Sequence, residues 1–571
     1  MDKYSELVQI LLRARGVETA DEAENFLNPD YELHTHDPFL MLGMDKAVER
    51  ILKALSDNEK IAIYSDFDAD GIPGGVLLHD FFKKIEYTNF TNYIPHRGTE
   101  GYGFHKAAVD KLAKDGVSLI ITVDVGITNA DTVEHAKGLG VDCIVTDHHE
   151  VPDKAPDAVA VLNPKQKDCK YPFRELCGTG VAYKLVQALI IQSRQEAPSE
   201  NVSLGASWRD CLASLPKGWE KWLLDLVAIA TIADMVPLVG ENRVLAKWGL
   251  VVLRKSRRPG IRALCKRLGI KQYLVTEDDI GFMIAPRINA ASRMDDPEDA
   301  FNLLATEVQE EAANYVSHLE KLNNKRKGAV SSIVRELKKK FAAMEESELG
   351  KVLVTGNPEW NPALLGLAAG SISDEYSRPV CLWGREGTEV LKGSCRSAGK
   401  VNIVEMLGSA GDALLGFGGH EAAGGFSVDN EHVHTLPETL EKAYADCKSK
   451  DGQKGEEKNS ISTTLKLTDA STGTHREVCT LAPFGICNKK PVFEFKKVKI
   501  ESTKEFGKDK NHIEVVVSAG GGISMRAYTF FAGKESFSVV VEEGKTVDLL
   551  ATIEESTWNG RRIELRIIDI V

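Results

Sequence analysis

Short apolar runs alternate with helical patterns between about residues 45 and 165, and this alternation constrains the fold more than any other feature. The intervening stretches at 105–114 and 129–138 have helical spacing. Such spacing is typical of βαβ units, which place parallel strands side by side and cover both faces of the sheet with helices. We therefore predict a mostly parallel α/β sheet. Its strands are expected at 60–65, 118–123, 142–146 and 158–162.

Acidic residues and histidines stand directly behind these predicted strands. In open α/β sheets, ligands bind at the carboxyl ends of the strands. Carboxylates this close together repel one another unless a positive charge lies between them. The pattern therefore predicts a cation site at this edge of the sheet. Its candidate residues are Asp66, Asp68 and Asp70 in YSDFDADG, Asp124 in IITVDVG, and Asp147, His148 and His149 in IVTDHHE.

A further aspartate, Asp234 in ATIADMVPL, lies in an apolar pattern that predicts a helix. Several carboxylates mixed with imidazole suit an oxygen-preferring divalent ion, so Mn²⁺ or Mg²⁺ is favoured over structural zinc. Two ions about 3.5 to 4 Å apart need a carboxylate that bridges them. Asp124 stands alone at its strand end and is placed to be that bridge.

Each of these residues also has a simpler explanation when it is taken alone. A single aspartate after a strand is usually a helix N-cap, and this applies to Asp124. A histidine pair is more often a surface or core feature than a ligand pair. Asp234 could pair with a basic residue such as Arg243. The occurrence of all these residues at successive strand ends favours the metal interpretation for the group as a whole.

The remaining sequence predicts further parts. A charged, amphipathic pattern without proline at 297–344 indicates one long helix or two, and KVLVTG at 351–356 begins a second α/β unit. After a polar stretch, about five strand-like runs indicate a small barrel or sandwich. The predicted division is an N-terminal domain at 1–295, a connecting helix at 296–345, a second α/β domain at 346–447, a linker at 448–460 and a C-terminal β-domain at 461–571.

Composition excludes several classes of protein. No run of 18 or more apolar residues occurs, which argues against a transmembrane span. The N-terminal MDKYSELVQILLRARG lacks a signal-peptide cleavage site and predicts an amphipathic helix. The ten cysteines are scattered without a CxxC pair, which disfavours a zinc ribbon or a disulfide framework. We therefore expect a protein of the reducing cytoplasm.

The net charge of −13 argues mildly against a general polyanion binder, but phosphate contacts depend on local patches rather than on the total. Two basic stretches occur, at 253–271 and 321–340. Solvated helix faces are the simpler explanation of such runs. As an alternative, we expect them to form a positive rim that steers a nucleic-acid strand toward the acidic site.

The motifs DxDxDG, a strand-end Asp, DHH and a helical Asp together resemble the four motifs of the DHH phosphoesterase superfamily. The motifs that follow resemble the RecJ family of single-strand-specific exonucleases, from about residue 40 to the C-terminus. The resemblance implies a parallel-sheet DHH domain, a long helical connector, a smaller α/β DHH-associated domain and an OB-like nucleic-acid-binding barrel. The motifs are APRINAASRM (285–294), WNPALLGLAAGSISDEYSRPV (360–380), GSCRS (393–397), GFGGHEAAGGFSV (416–428), LAPFGICNKKPVF (481–493) and the ending WNGRRIELRIIDI.

The resemblance also implies site roles. Two ions, Mn²⁺ or Mg²⁺, would have as ligands Asp66, Asp68 and Asp124 for one, and Asp70, Asp124, His148 and Asp234 for the other. The residues implied to contact phosphate are His149 at the scissile group, Asn289 and Arg293 at the domain edge, and Ser394, Arg396 and His420 around a 5′ phosphate. Asp124, His148, His149 and Arg293 form the implied catalytic set. The planar fork of arginine suits phosphate oxygens, which supports Arg293 and Arg396 over nearby lysines.

The activity implied is a metal-dependent 5′→3′ exonuclease on single-stranded DNA, which hydrolyses phosphodiesters with a two-metal-activated water in repair and recombination. The partner implied is single-stranded DNA at its 5′ end, with a single-strand-binding protein and a helicase as candidate further partners. No membrane is expected, and we expect a monomer. Two rivals stay open: a DHH phosphoesterase for small substrates such as short oligonucleotides, and a non-catalytic scaffold on the same fold.

The chain departs from the family pattern at three places. Asn361 stands where the family usually has histidine, so it is left out of the catalytic set. Ser292 replaces a glycine, and the loop GICNKKP departs from the usual GxGNPxP. In the barrel, stacking candidates accompany arginines, and one of two adjacent phenylalanines is expected in the core because neighbouring strand residues face opposite ways. These candidates are Tyr528, Phe530, Phe531 and Trp558, with Arg526, Arg561 and Arg562.

Overall fold

A computed structural model gives the structure of most of the chain. The linker predicted at 448–460 and the barrel residues Trp558 and Arg561 lie outside the described residues. The described residues are 1–196, 208–345, 348–385, 390–399, 401–447, 461–507, 510–520, 522–556 and 562–571.

A five-stranded, wholly parallel sheet lies in the N-terminal part, in the order β2-β1-β3-β4-β5. The four predicted strands are present within two residues of their expected ends, and β2 is an additional edge strand. Sequence pattern missed β2 because its residues FTNY are all half-buried and form no apolar run. The strands are β1 (Lys60–Ser65), β2 (Phe90–Tyr93), β3 (Val117–Val123), β4 (Asp142–Thr146) and β5 (Ala160–Leu162).

Helices cover both faces of this sheet and build a large helical region after it. They are α1 (Glu6–Arg13), α2 (Ala20–Leu27), α3 (Tyr31–His34), α4 (Met44–Ser56), α5 (Gly71–Lys84), α6 (Lys106–Lys114), α7 (Ala130–Gly138), α8 (Gly178–Glu196), α9 (Trp208–Ala213), α10 (Leu224–Ala233), α11 (Gly240–Leu253), α12 (Pro259–Leu268), α13 (Ala285–Met294), α14 (Glu298–Ala305) and α15 (Gln309–Ala342).

The charged pattern at 297–344 forms two helices, α14 and the 34-residue α15. At about 1.5 Å per residue, α15 is about 50 Å long, enough to span two small domains. Leu319 and Leu322 in its first half pack into the core of the first domain. Leu337 and Phe341 near its end pack into the core beneath the second domain. Helix α15 therefore packs against both domains and connects them.

The second domain contains a mixed sheet in the order β6-β7-β8-β10-β9, in which only β6 and β7 run parallel. Helix α16 connects β6 to β7 and packs against α15. The elements are β6 (Leu353–Gly356), α16 (Pro362–Tyr376), β7 (Val380–Gly384), β8 (Leu391–Arg396), α17 (Ile403–Ser409), β9 (Gly416–His420), β10 (Ala423–Val428) and α18 (Leu436–Asp446).

The C-terminal part is a closed barrel rather than a sandwich. Its sheet runs β11-β12-β13-β14-β16-β15, and a further pairing of β12 with β15 closes it. The long β12 pairs with both β13 and β15, which is what allows closure. The elements are β11 (Ile461–Thr464), α19 (Thr472–Cys479), β12 (Val492–Phe506), β13 (His512–Ser518), β14 (Ser524–Phe530), β15 (Thr546–Ser556) and β16 (Arg562–Ile570).

Helices α1 and α2 pack on this barrel and not on the parallel sheet. Leu11 and Leu12 are fully buried in the same core as barrel residues such as Phe493. The boundary predicted at 1–295 therefore does not follow the packing, because the amphipathic N-terminal helix has its apolar partner more than 450 residues away. The other predicted domain boundaries stay predictions. No helix in the described part of the chain is long and apolar enough to cross a membrane.

Arg243 of α11 joins the first domain to the N-terminal helices and the barrel. Its guanidinium lies 3.8 Å from the ring centre of Phe26, and its Nε donates to the carbonyl oxygen of that residue at 2.8 Å. Its Nη2 donates to the carbonyl oxygens of Leu481 and Ala482, at 2.9 and 3.2 Å. A buried arginine that serves several carbonyl groups fixes the relative position of all three segments.

We expect Arg243→Ala to lower the free energy of unfolding by about 2–4 kcal/mol, because it leaves several buried carbonyl groups without a donor. Urea denaturation followed by circular dichroism measures the change. Arg257→Ala, which removes an exposed arginine after the same helix, is the matched control and should change stability little. Equal stability of both variants would contradict the role of Arg243 in joining the three segments.

Candidate metal centre

Three aspartates extend the central strands by one residue each. The amide of Asp66 donates to Val123 at 3.1 Å, that of Asp124 to Thr146 at 2.9 Å, and that of Asp147 to Leu162 at 3.0 Å. Each bond continues the ladder of the parallel sheet past the end of a strand. The three carboxylates consequently meet at one edge, where the sequence predicted a cation site.

The loop between β1 and α5 is held by its own aspartates. Asp68 Oδ1 accepts hydrogen bonds from the amides of Asp70 and Gly71, at 2.8 and 3.1 Å. A Cβ on Gly71 would lie 2.5 Å from the carbonyl oxygen of Asp66, so no other residue fits there. The spacing in DADG thus follows from a tight turn as well as from ligand chemistry.

Asp70 receives the first amides of α8. Gly178 N donates to Oδ2 at 2.6 Å and Thr179 N donates to Oδ1 at 2.7 Å. The first amides of a helix have no partner within the helix, and the helix N-terminus favours a negative charge beside it. Burial, together with the neighbouring Asp68, nevertheless raises the pKa of Asp70 to about 6. The carboxylate is oriented by the helix but not neutralised by it.

The carboxylates and His148 form two adjoining groups. Ligand atoms of Asp66, Asp68 and Asp124 lie within 4.8 Å of one another, and so do those of Asp70, His148 and Asp234. His148 Nε2 lies 3.1 Å from Asp124 Oδ1, 3.6 Å from Asp234 Oδ2 and 3.7 Å from Asp70 Oδ2. Asp124 is therefore within reach of both groups.

The electrostatics of these groups fit divalent cations. Burial and neighbouring carboxylates raise the pKa values of Asp66, Asp124 and Asp234 well above the ordinary range. Among the described residues, nothing forms a hydrogen bond with the buried Oδ1 atoms of Asp66 and Asp124. Burial, and then the charge of His149, lowers the pKa of His148 to about 3, so its imidazole is neutral and can bind a metal. Buried carboxylates in this number are favourable only with positive charge among them.

His149 has the opposite character. Burial lowers its pKa, but the 2.7 Å contact of its Nδ1 with Asp147 outweighs burial and raises the pKa to about 9. It is therefore a cation at neutral pH. Its ring stacks on His420 of the second domain, with centroids 5.8 Å apart and planes 16° apart. This contact brings β9 of the second domain beside the carboxylates.

The simpler explanations of the single residues do not hold. Asp124 is not the N-cap of α7, which begins six residues later at Ala130; it has a left-handed φ of 62° instead. Arg243 donates to carbonyl groups and does not pair with Asp234. The carboxylate of Asp234 lies beside His148 instead.

The residues expected at the domain edge lie on α13. Asn289 Oδ1 accepts from the amide of Ala69, so this side chain holds the β1–α5 loop. Arg293 Nη1 donates to Ala363 of the second domain at 2.7 Å. Burial, followed by the charge of nearby arginines, lowers the pKa of Arg293 to about 9, against the attraction of Asp68. Arg293 thus lies between the acidic cluster and the second domain.

Ser394 and Arg396 alternate on β8 and share a face of the strand. Arg396 Nη1 donates to the carbonyl oxygen of Cys395 at 2.7 Å. A Cβ on Gly366 would lie 2.7 Å from Arg396 Nη2, so this glycine of α16 makes room for the guanidinium. The structure brings His420 to His149, and it brings the charge of Arg396 within range of Arg293.

The departures from the family pattern have structural roles. Asn361 is the N-cap of α16, where its Oδ1 accepts from the amide of Ala363 at 2.8 Å. Ser292 is buried in α13. In the loop GICNKKP, Asn488 Nδ2 donates to the carbonyl oxygens of Leu481 and Pro483, at 2.9 and 2.8 Å, which fixes the loop.

The positive rim expected at 253–271 stays a prediction, but Arg258 is not part of it. Arg258 does not point to solvent, because it pairs with Asp80 and with Asp225 at 2.9 Å between Nε and Oδ2. Asp80 lies ten residues along α5 from the metal cluster, or about 15 Å at 1.5 Å per residue. Arg258 is a structural cation and cannot steer a strand.

The expectation that one of Phe530 and Phe531 lies in the barrel core was wrong. Their exposed fractions are 41% and 83%. The alternation breaks because β14 ends at Phe530 and Phe531 has a left-handed φ of 57°. Arg526 and Arg562 form ion pairs with glutamates of the barrel, whereas Arg566 lies over the Phe530 ring at 4.4 Å.

Sequence reasoning missed several residues that shape the site. Gly178 and Thr179 have no pattern that marks them, since they act through backbone amides from a distant part of the chain. Tyr102, whose hydroxyl lies 3.4 Å from His149 Nε2, lies outside the motifs and was not proposed. Asp147 was proposed for the cation site, but its contact with His149 was not.

Comparison with protein families gives three matches along the chain. Residues 60–214 match the DHH family N-terminal domain, residues 349–448 the DHHA1 domain, and residues 461–569 the RecJ OB domain.

Curated relatives are single-stranded-DNA-specific RecJ exonucleases. The protein of Bacillus subtilis is 34% identical over 97% of this chain, which spans 66% of that protein, just under two thirds. The protein of Salmonella typhimurium is 35% identical over 75% of this chain and 72% of its own length.

Among solved structures, RecJ of Thermus thermophilus in complex with Mn²⁺ superimposes with a TM-score of 0.78. The sequences are 25% identical, and the match covers 100% of this chain and 76% of the other. The corresponding Mg²⁺ complex gives a TM-score of 0.73 at the same identity and covers 75% of that chain. The acidic and histidine groups of the present chain are positioned to bind such an ion.

Substitution of Gly178 tests whether the cluster is a metal site. A Cβ at this position would lie 2.5 Å from Asp124 Cβ and 2.8 Å from its Oδ1, so Gly178→Ala must displace that carboxylate. We expect at least tenfold weaker Mn²⁺ binding in calorimetry. Gly180→Ala, where the nearest atom lies 3.5 Å away, is the matched control and should bind normally. Equal Mn²⁺ binding by both variants would count against a site built around Asp124.

Proposed function

Since the chain belongs to the RecJ family of single-stranded-DNA-specific exonucleases, we propose that it removes nucleotides from the 5′ end of single-stranded DNA by metal-dependent hydrolysis. The observation that carries this proposal is the buried cluster in which carboxylates that follow two strands, β1 and β3, and Asp234 at the end of α10 surround the neutral His148. A cluster of this composition fits two divalent ions and no organic cofactor.

The proposed ligands divide as the two groups do. Asp66, Asp68 and Asp124 hold one ion, and Asp124 also takes part in the second site. Bound there, the ions supply an activated water and neutralise charge on the phosphodiester. The ligands of the second site are Asp70, Asp124, His148 and Asp234.

The remaining residues act on the phosphate itself. His149 carries a positive charge at neutral pH because of Asp147, and it lies 3.8 Å from Asp124. It is therefore suited to orient the scissile phosphate and to stabilise charge that develops there. Arg293 is placed to hold a neighbouring phosphate oxygen from the domain edge, since only a carbonyl group engages its guanidinium in the described structure.

The proposed 5′→3′ polarity rests on the second domain. Ser394 and Arg396 on β8 and His420 on β9, with only β10 between these strands, would offer a hydroxyl, a guanidinium and an imidazole to a terminal phosphate. A terminal phosphate carries more negative charge and more free oxygens than a diester. The planar fork of arginine can bind two of these oxygens at once, which suits Arg396 to a 5′ phosphate. A strand whose 5′ phosphate occupies this end presents its first diester to the metal centre.

The barrel is proposed to hold the strand behind the metal centre. Phe530 and Phe531 are exposed next to His512, and Arg566 lies over the Phe530 ring. Stacking on such aromatic groups contributes about 1–3 kcal/mol per base and accepts any sequence. This barrel favours the exonuclease over a small-substrate phosphoesterase, which needs no such surface. The complete set of carboxylates favours an enzyme over a scaffold.

The wider biological setting follows the family. We propose a role in DNA repair and recombination in the cytoplasm, where a single-strand-binding protein and a helicase would supply the substrate. A monomer suffices for this mechanism, because every proposed site residue comes from one chain.

Digestion of single strands labelled at either end, with Mn²⁺ and Mg²⁺ in turn, tests the proposal. We expect the 5′-labelled strand to release its label early and the 3′-labelled strand to shorten progressively. Asp124→Asn should lower kcat by at least about a thousandfold, since catalysis depends on the charge of the bridging carboxylate. Strand binding should persist.

Asp131→Asn, an exposed aspartate seven residues away, is the control and should be fully active. Release of the 3′ label first would reverse the proposed polarity. An active Asp124→Asn protein would remove the bridging role.

A further inference from the structure

Arg326 on α15 has an environment unlike that of the other partly buried arginines. Its Nη2 donates to Asn323 Oδ1 at 2.9 Å, and its Nε is buried without a partner. Within the described residues, no carboxylate lies at ion-pair distance from it. The guanidinium thus donates one hydrogen bond to an uncharged acceptor, a fully buried asparagine whose own amide nitrogen lacks an acceptor among the described residues.

Several buried arginines of this protein are satisfied by carboxylates or, as at Arg243, by a set of carbonyl oxygens. Arg287 on α13 pairs with Glu320 of α15 through two nitrogens, at 2.9 and 3.3 Å, less than two turns before Arg326. Arg50 pairs with Glu59 and Asp142. A half-buried guanidinium is expensive without a counter-charge, and proteins usually supply one. Arg326 has neither a carboxylate nor a backbone carbonyl oxygen as a partner among the described residues, which favours an anion from outside the chain at this position.

Arg326 lies at the seam between the domains, because it stands on α15 between Leu322, in the core of the first domain, and Ile333, in the core beneath the second. Arg293, which donates only to the carbonyl oxygen of Ala363, lies near enough for the charges of Arg97, Arg326 and Arg396 to depress its pKa after the larger effect of burial. The attraction that opposes them comes from Asp68 of the metal cluster. The cations come from the first domain, the connecting helix and the second domain, so they meet at the seam of the cleft.

A polyanion that passes through this seam satisfies both observations. The acidic cluster repels anions until cations occupy it, and the arginines provide compensating attraction beside it. A diester chain presents successive phosphates about one nucleotide apart, so more than one phosphate can meet basic groups here. A single free phosphate would use fewer of them.

We propose that Arg326 binds a phosphodiester of the substrate strand next to the scissile group, from the connecting helix shared by the two domains. The inference rests on the proposed function and deepens it, because it adds a phosphate contact on the connecting helix to those of the motif residues. The position on α15 also means that the contact depends on how the two domains are held together.

Binding of a 5′-phosphorylated single strand to the full-length protein tests the proposal without hydrolysis when Ca²⁺, another oxygen-preferring divalent ion, occupies the cluster in place of Mn²⁺. Dissociation constants are measured by fluorescence anisotropy over a range of salt concentrations, for the wild type, Arg326→Ala and Arg326→Lys. Lys339→Ala removes an exposed lysine in the last turn of the same helix and serves as the control.

We expect Arg326→Ala to weaken binding about fivefold to twentyfold at low salt and to reduce the slope of log K against log salt by about 0.7, the value for one phosphate contact on a single strand. Arg326→Lys should keep the slope with weaker binding, because lysine retains the charge but not the fork. Lys339→Ala should match the wild type. A purely structural role would lower the melting temperature of Arg326→Ala without changing the slope.

Three results would overturn the proposal. A wild-type slope for Arg326→Ala, with tight binding by the wild type, refutes the Arg326 contact and leaves the proposed function intact. Failure of the wild type to bind a single strand refutes both. If Arg326→Ala changes only how strongly inorganic phosphate competes with the strand for binding, the residue serves a free-phosphate site and not the strand.

Discussion

Repulsion among buried carboxylates at the end of the parallel sheet is the constraint on which the rest of the site depends. Asp66, Asp70 and Asp124 have almost no exposed surface, yet they face one another over a few ångströms. Burial and mutual repulsion both favour their protonated forms. Divalent cations reverse this preference. The affinity of the cluster for metal therefore comes from the close, buried arrangement in which the fold holds its carboxylates.

The chain holds these groups by backbone geometry rather than by salt bridges. The amides that begin α8 bind Asp70, and Asp68 closes its own turn on the amide of Gly71. His148 is kept neutral and His149 is kept charged, although they are neighbours in sequence, because Asp147 contacts only the second ring. Adjacent imidazoles therefore have different tasks, one toward metal and the other toward phosphate.

Sequence alone predicted what depends on local pattern. The strand ends, and hence the edge where Asp124 and His148 meet, follow from short apolar runs, and the motifs supplied the residues of the second domain. Contacts between distant backbone groups could not be predicted: Gly178 reaches Asp70 from 108 positions away, and Ser5 bonds Glu477 across 472 positions. The exposure of Phe531 depends on a left-handed residue at a strand end, which alternation does not encode.

The most direct measurement of the central claim is anomalous diffraction at the manganese edge from crystals grown with Mn²⁺. The account predicts two peaks about 3.5 to 4 Å apart, with one carboxylate oxygen of Asp124 between them and His148 on one side only. A single peak, or a pair of peaks to which Asp124 contributes no ligand, would contradict it.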